Sequence, residues 1–464
     1  MTVTLPAAAT SKETKPCTPL PSSYYTERLS DVSAGRKPSP IWDLLPVEDT
    51  PGMLSMLAGK PNPATFPFKY IHLGVRSPTD KTKIEEIAIE GKDLDAALQY
   101  GVTTGFTELV DWVRDMMAQV HGRDPDSEAW RVSLGPGSQD LLYKAMNALV
   151  NPGDTVIVEG PTYPGVTPIM AALSCQYAVV DVDDQGAIAT DMEKMLANWD
   201  RSVKPFPKVF YTIPFGCNPS GVTTSYARRI QLLEIARKYD IIILEDDPYY
   251  FLYYGKAPKP PSYFTLEKQL GGEVGRVLRF DSFSKVLAAG FRLGWITGPS
   301  TLVAAIERHN SCSVVQPSSL TQAVTLPLLK QWKISGFLAH TVATASFYRQ
   351  RRDAFEACLN RHLADLAEWT VPEASMFFWL KLRLPPTVRC QNLGSPGEED
   401  EGDSAAFIRD KAMHRGVLLL PGANAYVDDR STARVRVSFS LLSDEQMEEA
   451  VRRLAEVLRE ESTS

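Results

Sequence analysis

Short apolar segments alternate with segments of helical periodicity through the middle of the chain. The runs at 155–158, 209–212 and 241–244 are almost wholly apolar, whereas the apolar residues between 106 and 120 recur every three or four positions. Apolar runs of this length predict strands buried on both faces, and the periodic segments predict amphipathic helices. Their alternation predicts an α/β fold with a mostly parallel sheet, in which ligands bind beyond the carboxyl ends of the strands.

The pattern changes near residue 330, and three regions are predicted. Residues 1–60 form an N-terminal arm, residues 61–330 a large domain, and residues 331–464 a smaller α+β domain. The last region ends in a segment that opens with the capping box Ser443 to Gln446 and continues with apolar residues on one helical face.

Composition and charge exclude several classes of protein. The 464 residues include 49 basic and 56 acidic side chains, a net charge of −7, which leaves no basic footprint for a nucleic acid. No apolar run approaches the roughly 20 residues that span a bilayer. Six scattered histidines and six cysteines without a Cys-x-x-Cys pair give neither a metal-ligand cluster nor a disulfide framework. We therefore expect a cytoplasmic protein with no metal, no nucleic-acid partner and no membrane partner.

The strongest chemical signal is a lysine that follows a predicted strand. Lys285 comes after Ser282 and Ser284, and Arg292 lies further along the same loop. A lysine at the end of a buried strand is desolvated, which favours the neutral amine that forms a Schiff base, and two hydroxyls with an arginine suit a phosphate. Two alternatives remain open. One is an ordinary solvated lysine; the other is the Ser-x-x-Lys motif of acyl-serine enzymes, whose companion tripeptides Ser-Asp-Asn and Lys-Thr-Gly do not occur here.

Four weaker signals lie in other predicted loops and strands. Gly137-Ser138-Gln139 opens a helix with Ser138 as N-cap, and is either an anion site or an ordinary cap. The run Glu245 to Tyr250 places three acids after the most apolar strand, where a cation is needed to offset buried charge. Asn218-Pro219-Ser220-Gly221 is a turn. The run Arg434 to Ser440 places two arginines on one strand face, as carboxylate ligands or as solvated edge residues.

Together, in this order and spacing, these motifs resemble those of the pyridoxal-phosphate aminotransferases of the aspartate aminotransferase fold. The resemblance extends from about Gly35 to Leu458. It is strongest to the branch of aromatic and 2-aminoadipate (kynurenine) aminotransferases, including the fungal aromatic enzymes. It implies a large domain with a mixed, mostly parallel sheet of seven strands, which binds pyridoxal 5′-phosphate, and a smaller α+β domain.

The resemblance also implies a role for each candidate residue around the cofactor. Lys285 forms the Schiff base and carries the proton, and Asp247 pairs with the pyridine nitrogen, which keeps the ring an electron sink. Tyr250 and Asn218 donate to the phenolic oxygen, and Tyr163 stacks on the ring. The phosphate is held by Ser138, Gln139, Ser282, Ser284 and Arg292.

Three further positions concern the substrate and a partner subunit. Arg436, with Asn218 beside it, grips the substrate α-carboxylate, and the backbone of Gly59 approaches the substrate. Tyr100 reaches the phosphate of the neighbouring subunit, which implies a homodimer. Next to Gly59 the chain departs from the family pattern, because Lys60 replaces a second glycine and the loop is one residue shorter. The resemblance therefore says least about specificity.

The activity implied by the resemblance is transfer of an amino group from tryptophan, phenylalanine or tyrosine to a 2-oxo acid, giving the aryl-pyruvate. The acceptor is 2-oxoglutarate or phenylpyruvate, and the alternative donor is 2-aminoadipate or kynurenine. Two other classes share the fold. A pyridoxal-phosphate lyase or decarboxylase shares the cofactor residues, and a transcription regulator adds a basic winged-helix domain, for which residues 1–60 are too few and not basic.

Overall fold

The computed structural model describes residues 16–37, 41, 44, 47–48, 50–78, 80, 82–384, 402–428 and 430–463. Residues 1–15 of the predicted N-terminal arm, and Cys390, lie outside the described residues. Over the described ranges, no helix combines the length and the apolar character that crossing a membrane requires.

Strands and helices alternate along most of the described chain, as the apolar pattern predicts. The strands are β1 Cys17–Pro19, β2 Tyr70–Arg76, β3 Ile84–Glu90, β4 Trp130–Gly135, β5 Thr155–Gly160, β6 Gln176–Asp183, β7 Gly186–Ala187, β8 Val209–Thr212, β9 Ile242–Asp246, β10 Gly272–Val274, β11 Val277–Ser282, β12 Gly294–Pro299, β13 Ala367–Trp369, β14 Phe377–Leu382, β15 Leu420–Pro421 and β16 Arg434–Ser438. The α-helices are Ser22–Thr26, Asp31–Gly35, Gly91–Leu98, Thr107–His121, Ser138–Leu149, Thr167–Ala172, Ala189–Ala197, Tyr226–Lys238, Tyr263–Leu270, Ser300–Ser313, Ser319–His362, Ser404–Phe407 and Asp444–Thr463.

The main sheet, as far as the chain is described, has eight strands in the order β4-β12-β11-β9-β8-β5-β6-β7. Neighbours from β11 through β6 are parallel, and β12 is antiparallel to both β11 and β4. The predicted α/β class and the mixed, mostly parallel sheet are confirmed. The strand beyond the expected seven is the two-residue β7, which turns back on the edge strand β6.

Helices cover the main sheet and leave its central strands without access to solvent. Every residue of β8 and β9 is buried. The helix Thr107–His121 packs Leu109, Val113 and Met116 into the core, which confirms the amphipathic stripe, and it ends at Gly122 with a φ of 62°. Burying one such side chain stabilises the fold by about 1.5–3 kcal/mol. The polar chemistry is therefore confined to the strand ends.

A second sheet, with the antiparallel order β13-β14-β16-β15, stands beside the main sheet. The helices Ser319–His362 and Asp444–Thr463 pack against each other. The predicted capping box is confirmed, because Ser443 Oγ accepts the amide N–H of Gln446 at 3.2 Å and Gln446 Oε1 accepts that of Ser443 at 2.9 Å. The long helix breaks at Lys333, with a φ of 57°, near the predicted boundary at 330. The domain limits themselves stay a prediction.

Candidate active site

The carboxyl ends of β8, β9 and β11 face a cavity of about 390 Å³, the position at which parallel sheets bind ligands. Strands β14 and β16 close it from the other side with Phe377 and Arg436. Nine of the thirteen predicted site residues line it: Ser138, Gln139, Tyr163, Asn218, Ser282, Ser284, Lys285, Arg292 and Arg436. The other described lining residues are Ile213, Asp246, Pro248, Tyr249, Ala289 and Phe377.

One end of the cavity gathers hydroxyls, backbone amides and a guanidinium. Ser138 begins a helix that follows β4, and Arg292 Nη1 donates a hydrogen bond of 3.3 Å to Ser284 Oγ. Gly137, with a φ of 92°, lies so close that a Cβ there would stand 2.7 Å from Arg292 Nη2. A helix N-terminus beside hydroxyls and an arginine is suited to a phosphate.

The helix after β4 begins one residue later than its predicted cap. Gly137 occupies the N-cap position and Ser138 is the first helical residue, so the predicted capping role of Ser138 is wrong. The Ser138 side chain lines the cavity instead. Gln139 lines the same end, and its side-chain amide donates to the carbonyl oxygen of Gly165 at 2.6 Å. This bond ties the helix to the loop that follows β5.

The acidic run after β9 faces the cavity in a register that differs from the predicted one. Asp246 and Tyr249 line the cavity, whereas Asp247 and Tyr250 do not. Successive side chains of an extended strand point to opposite faces, so only one of two neighbouring aspartates at this strand end points toward the ligand side. Asp246 and Tyr249 are therefore the neighbours that line the cavity, and the roles predicted for Asp247 and Tyr250 stay predictions.

Asp247 belongs to a buried ionic cluster around Arg279. The Arg279 guanidinium lies 2.8 Å from Asp247 Oδ2, 3.2 Å from Glu245 Oε2 and 2.7 Å from Asp281 Oδ1. It also stands 4.6 Å from the ring centroid of Tyr250. Burial raises the pKa of Asp247 to about 7, and the arginine counteracts that rise. The cluster gives Asp247 a cationic partner through Oδ2, whereas its buried Oδ1 has no partner among the described residues.

Asp246 lacks such compensation. Its Oδ2 accepts a hydrogen bond of 2.8 Å from the Tyr211 hydroxyl, while its buried Oδ1 has no hydrogen-bond partner among the described residues. Burial raises the pKa of Asp246 to about 7, and the charge of Asp247 adds to the rise, whereas the hydrogen bond from Tyr211 opposes it. A cation placed at the free oxygen would favour the ionised carboxylate.

Lys285 projects into the same cavity from a short 3₁₀ turn that follows β11. Burial lowers the pKa of its amine, and the charges of Arg292 and Arg436 lower it further. A depressed pKa increases the fraction of neutral amine near neutral pH, which is the nucleophilic form. The cavity therefore activates Lys285 without a neighbouring base.

Arg436 enters the cavity from strand β16. Its Nη1 donates a hydrogen bond of 2.8 Å to Asn218 Oδ1, which joins the smaller sheet to the turn after β8. Its guanidinium carbon stands 4.5 Å from the ring centroid of Phe377, and its buried Nε has no partner in the described part of the chain. An arginine held at one nitrogen, with others free, is ready to bind a carboxylate.

Tyr100 and Gly59 are not brought to the cavity within one chain. Tyr100 is 58% exposed, and no side chain or backbone atom among the described residues comes within 4 Å of a Cβ built on Gly59. Neither residue lines the cavity. The site formed by a single chain therefore lacks both of these predicted contributions.

Two buried groups behind the cavity carry no sequence signal of their own. Tyr211 lies in the apolar strand β8 and holds Asp246. Glu159, at the end of β5, accepts hydrogen bonds from the Thr212 hydroxyl at 2.8 Å and from Cys217 Sγ at 3.6 Å. Burial raises the pKa of Glu159 to about 7. In the sequence, Tyr211 and Glu159 stand out only as polar residues within otherwise apolar strands.

Comparison with known proteins decides the family. The model of aminotransferase class I and II matches residues 71–454. The chain belongs to this family. The resemblance inferred from the sequence is thereby confirmed, and so are the aminotransferase activity, the fold and the dependence on pyridoxal phosphate.

Relatives of this aminotransferase cover nearly its whole length. It is 39% identical over 420 residues to aminotransferase tdiD of Emericella nidulans, covering 90% of this chain and 92% of that protein. It is 36% identical over 449 residues to the mitochondrial kynurenine/alpha-aminoadipate aminotransferase of Mus musculus, covering 94% of this chain and 99% of that protein. The crystal structure of aminotransferase Aro8 from Candida albicans matches with a TM-score of 0.82 at 26% identity, covering 95% and 99% of the two chains.

The residues of the cavity fit pyridoxal phosphate. Asp246 offers a free carboxylate oxygen to a protonated ring nitrogen, Lys285 offers an amine to the aldehyde, and the end formed by Ser138 and Arg292 offers donors to the phosphate. A volume of about 390 Å³ lies within the range of roughly 300–1,000 Å³ that is usual for ligand sites.

Without cofactor, the protein is expected to lose stability as the pH rises from about 5 to about 7. Folded Asp246 has a pKa of about 7, whereas an unfolded aspartate titrates near 4, so the folded state holds the extra proton in this window and is destabilised as it leaves. Asp246→Asn removes this contribution, and we expect a shallower dependence of Tm on pH in thermal melts of the cofactor-free protein.

Asp95→Asn, at an exposed acid, is the control for the pH series and should retain the wild-type slope. Equal slopes for Asp246→Asn and the wild type would contradict the uncompensated burial of Asp246.

Proposed function

We propose that this aminotransferase takes aromatic L-amino acids as donors, with Lys285, Asp246, Arg292 and Arg436 as its principal site residues. One observation carries the roles. A buried carboxylate oxygen of Asp246 without a described partner shares a cavity with the Lys285 amine and two arginines. These groups match the aldehyde, ring nitrogen and phosphate of the cofactor and the carboxylate of an amino acid.

In this proposal, different residues bind the cofactor and move the proton. When bound, pyridoxal phosphate supplies the aldehyde that takes up the amino group and the ring that accepts electrons from the substrate Cα. Ser138, Ser284 and Arg292 hold the phosphate, and the Asp246 carboxylate keeps the proton on the ring nitrogen. The Lys285 amine, with its depressed pKa, takes the proton from the substrate Cα as a general base.

Other residues orient the ring and the substrate. Tyr249, rather than Tyr250, stands with Asn218 on the cavity wall where donors to the phenolic oxygen are needed. Tyr163 offers a ring face for stacking. Arg436 binds the α-carboxylate with the nitrogens that its bond to Asn218 leaves free. Lys285 and Arg436 thus act on the two ends of the same Cα–carboxylate unit.

An aromatic donor is supported by the lining of the cavity. Tyr163, Tyr249 and Phe377 all line it, and Phe377 lies under the arginine that would hold the carboxylate. Aromatic pairs contribute about 0.5–1.5 kcal/mol beyond area burial. The mouse relative is named for kynurenine and alpha-aminoadipate, and therefore supports the alternative donors. For the aromatic donors, the proposed acceptor is 2-oxoglutarate or phenylpyruvate. Kynurenine and 2-aminoadipate are the rival donors to test.

The active enzyme in this proposal is a homodimer in which Tyr100 reaches the phosphate of the neighbouring site. Tyr100 is 58% exposed, and other large apolar side chains of the preceding segment are also exposed, at 61% for Phe68, 60% for Tyr70 and 61% for Ile84. Exposed apolar residues in such number are typical of an interface. A second copy covering them would complete the phosphate site.

Lys285→Ala is expected to abolish transamination and the visible absorbance of cofactor joined to the lysine, because no other described lining residue carries an amine.

Tyr100→Phe is expected to weaken cofactor binding about tenfold, since one hydroxyl donor to the phosphate is lost. Steady-state assays and absorbance titrations measure both effects.

Mixed dimers test whether each active site takes Tyr100 from the partner subunit or is formed by one chain alone. A subunit carrying Lys285→Ala supplies an intact Tyr100 to a partner that carries Tyr100→Phe and an intact Lys285. Co-expressed, separately tagged subunits should therefore regain one site of wild-type cofactor affinity per dimer. Failure to regain that affinity in purified mixed dimers would contradict the role of Tyr100.

The two neighbouring aspartates are expected to respond differently to amide substitution. Asp246→Asn should keep the cofactor bound through its phosphate but lower kcat by about two orders of magnitude or more, because the ring nitrogen loses its charge partner. Asp247→Asn should keep kcat within about tenfold and lower Tm, because Arg279 loses a buried ion pair. A greater loss of kcat in Asp247→Asn than in Asp246→Asn would return the catalytic role to Asp247.

A donor panel tests the substrate class. The kcat/KM for tryptophan and phenylalanine should exceed that for 2-aminoadipate at least tenfold, with a keto acid as product and without release of pyruvate and ammonia. Phe377→Leu should lower the aromatic values by up to about tenfold and leave 2-aminoadipate unchanged. Preference for 2-aminoadipate, with no turnover of aromatic donors, would overturn the proposal in favour of its rival.

A further inference from the structure

A second cavity, of about 650 Å³, opens between the main sheet and the smaller sheet beside the active site. We call it the inter-sheet groove. Among the described residues, it shares no lining residue with the active-site cavity. It is lined by Gly160, Pro161, Asp181, Val182, Asp183, Asp184, Ser220 and Val222 on the side of the main sheet, and by Glu368, Trp369, Thr370, Trp379, Lys381, Tyr426, Arg430, Ser431, Thr432 and Arg434 on the other.

The two walls of the inter-sheet groove carry opposite charge. The wall of the main sheet has three aspartates and, among the described lining residues, no base. The opposite wall has three bases and one acid. The charged residues are Asp181, Asp183 and Asp184 on the first wall, and Lys381, Arg430, Arg434 and Glu368 on the second.

Most of these charges have an opposite charge nearby, but two do not. Asp183 pairs with Arg228 at 2.9 Å, and Glu368 lies 3.4 Å from Arg383. Arg430 pairs with Asp428, which raises the pKa of Arg430, and the charge of Asp181, which makes no ion pair among the described residues, adds to that rise. Asp184 and Arg434 have no side-chain hydrogen bond or ion pair with any residue the structure describes. One acid on one wall and one base on the other are therefore free to bind a ligand.

Aromatic side chains also line the groove. Trp379 is buried and Trp369 is half-buried, and both line the groove. In the antiparallel pairing of β14 with β16, Trp379 stands opposite Arg436 and Lys381 stands opposite Arg434. Opposite residues share one face of a sheet, so the indole and the free arginine point to the same side.

An acid, an aromatic surface and an arginine together match one class of ligand. A free aromatic amino acid presents an ammonium to Asp184, a ring to the tryptophans, and a carboxylate to the fork of Arg434. We propose that the inter-sheet groove is a second, non-catalytic binding site for a zwitterionic aromatic amino acid. The inference rests on the donor class proposed above, because the same molecules would fill both sites.

The two sites share the segments that separate them. The turn after β8 places Asn218 in the active-site cavity and Ser220 in the groove, and β16 places Arg436 in the first and Arg434 in the second. A ligand that bridges Asp184 and Arg434 ties the two sheets together across this turn. In many enzymes the opening of the elements that enclose the site limits product release. Occupancy of the groove should therefore slow turnover at high donor concentration.

The test counts binding events on the enzyme loaded with the amine form of the cofactor, which carries no aldehyde for an amino acid to attack. Titration calorimetry with L-phenylalanine should show two binding events per chain. Asp184→Asn and Arg434→Gln should each weaken one event at least tenfold, and Arg436→Gln should weaken the other. Arg409→Gln, at an exposed arginine paired with its neighbour Asp410, is the control and should change neither.

A second probe separates the two charges. 3-Phenylpropionate has the ring and the carboxylate but no ammonium, so Arg434→Gln should weaken its binding to the groove while Asp184→Asn should not. Retained cofactor absorbance and unchanged circular dichroism establish that the variants are folded. A single binding event in the wild type, or two events that both groove variants leave intact, would overturn the proposal.

The same preparations keep this inference distinct from the proposed donor class. Turnover of L-phenylalanine with only one binding event contradicts the groove site and leaves the donor class standing. Two binding events without turnover of L-phenylalanine contradict the donor class and leave the groove site standing.

Discussion

The buried arginine at position 279 holds the strand ends on which the active site is built. Arg279 on β11 stands opposite Glu245 on β9, and its guanidinium also reaches Asp247 and, through two nitrogens, Asp281. Each of these acids would cost several kcal/mol if it were buried and ionised without a partner. The contacts to Glu245 and Asp247 cross from β11 to the end of β9, and the bidentate pair with Asp281 on β11 fixes the orientation of the guanidinium that makes them. Lys285 follows the second of these strands, four residues after Asp281.

Asp246 is next to the Arg279 cluster in sequence but makes no ion pair with that arginine. It lies one residue from Asp247, but the alternation of the strand turns it to the opposite face, away from Arg279. One tyrosine hydroxyl is its only hydrogen-bond donor in the described structure, and the charge of Asp247 makes ionisation harder. Both acids at this strand end keep one buried oxygen without a partner among the described residues, but only Asp246 lines the cavity. A cationic ring nitrogen beside the free Oδ1 of Asp246 would supply the positive charge that the protein does not place there.

The sequence alone predicts those parts of the active site that lie within one short segment of the chain. The loop from Ser282 to Arg292 brings hydroxyls, amine and guanidinium together by itself, so its spacing predicts its chemistry. The choice between Asp246 and Asp247 was different, because β9 is buried on both faces and its apolar run carries no alternation to show which side meets the ligand. The role of Tyr211 could not be predicted for the same reason, because β8 is also buried on both faces. Residues contributed by a second chain cannot be predicted from local spacing.

The two arginines of β16 show how tertiary pairing divides one local motif. Their period-two spacing predicts a shared face, and the structure agrees, but residues two apart on a strand are only about 7 Å from each other. That distance is enough for Arg436 to reach past the turn at Asn218 into one cavity while Arg434 remains in the other. Because one stiff strand carries both side chains, a shift of the smaller sheet moves both at once. A carboxylate bound at Arg434, as proposed for the inter-sheet groove, would therefore act on Arg436 through the strand that carries both.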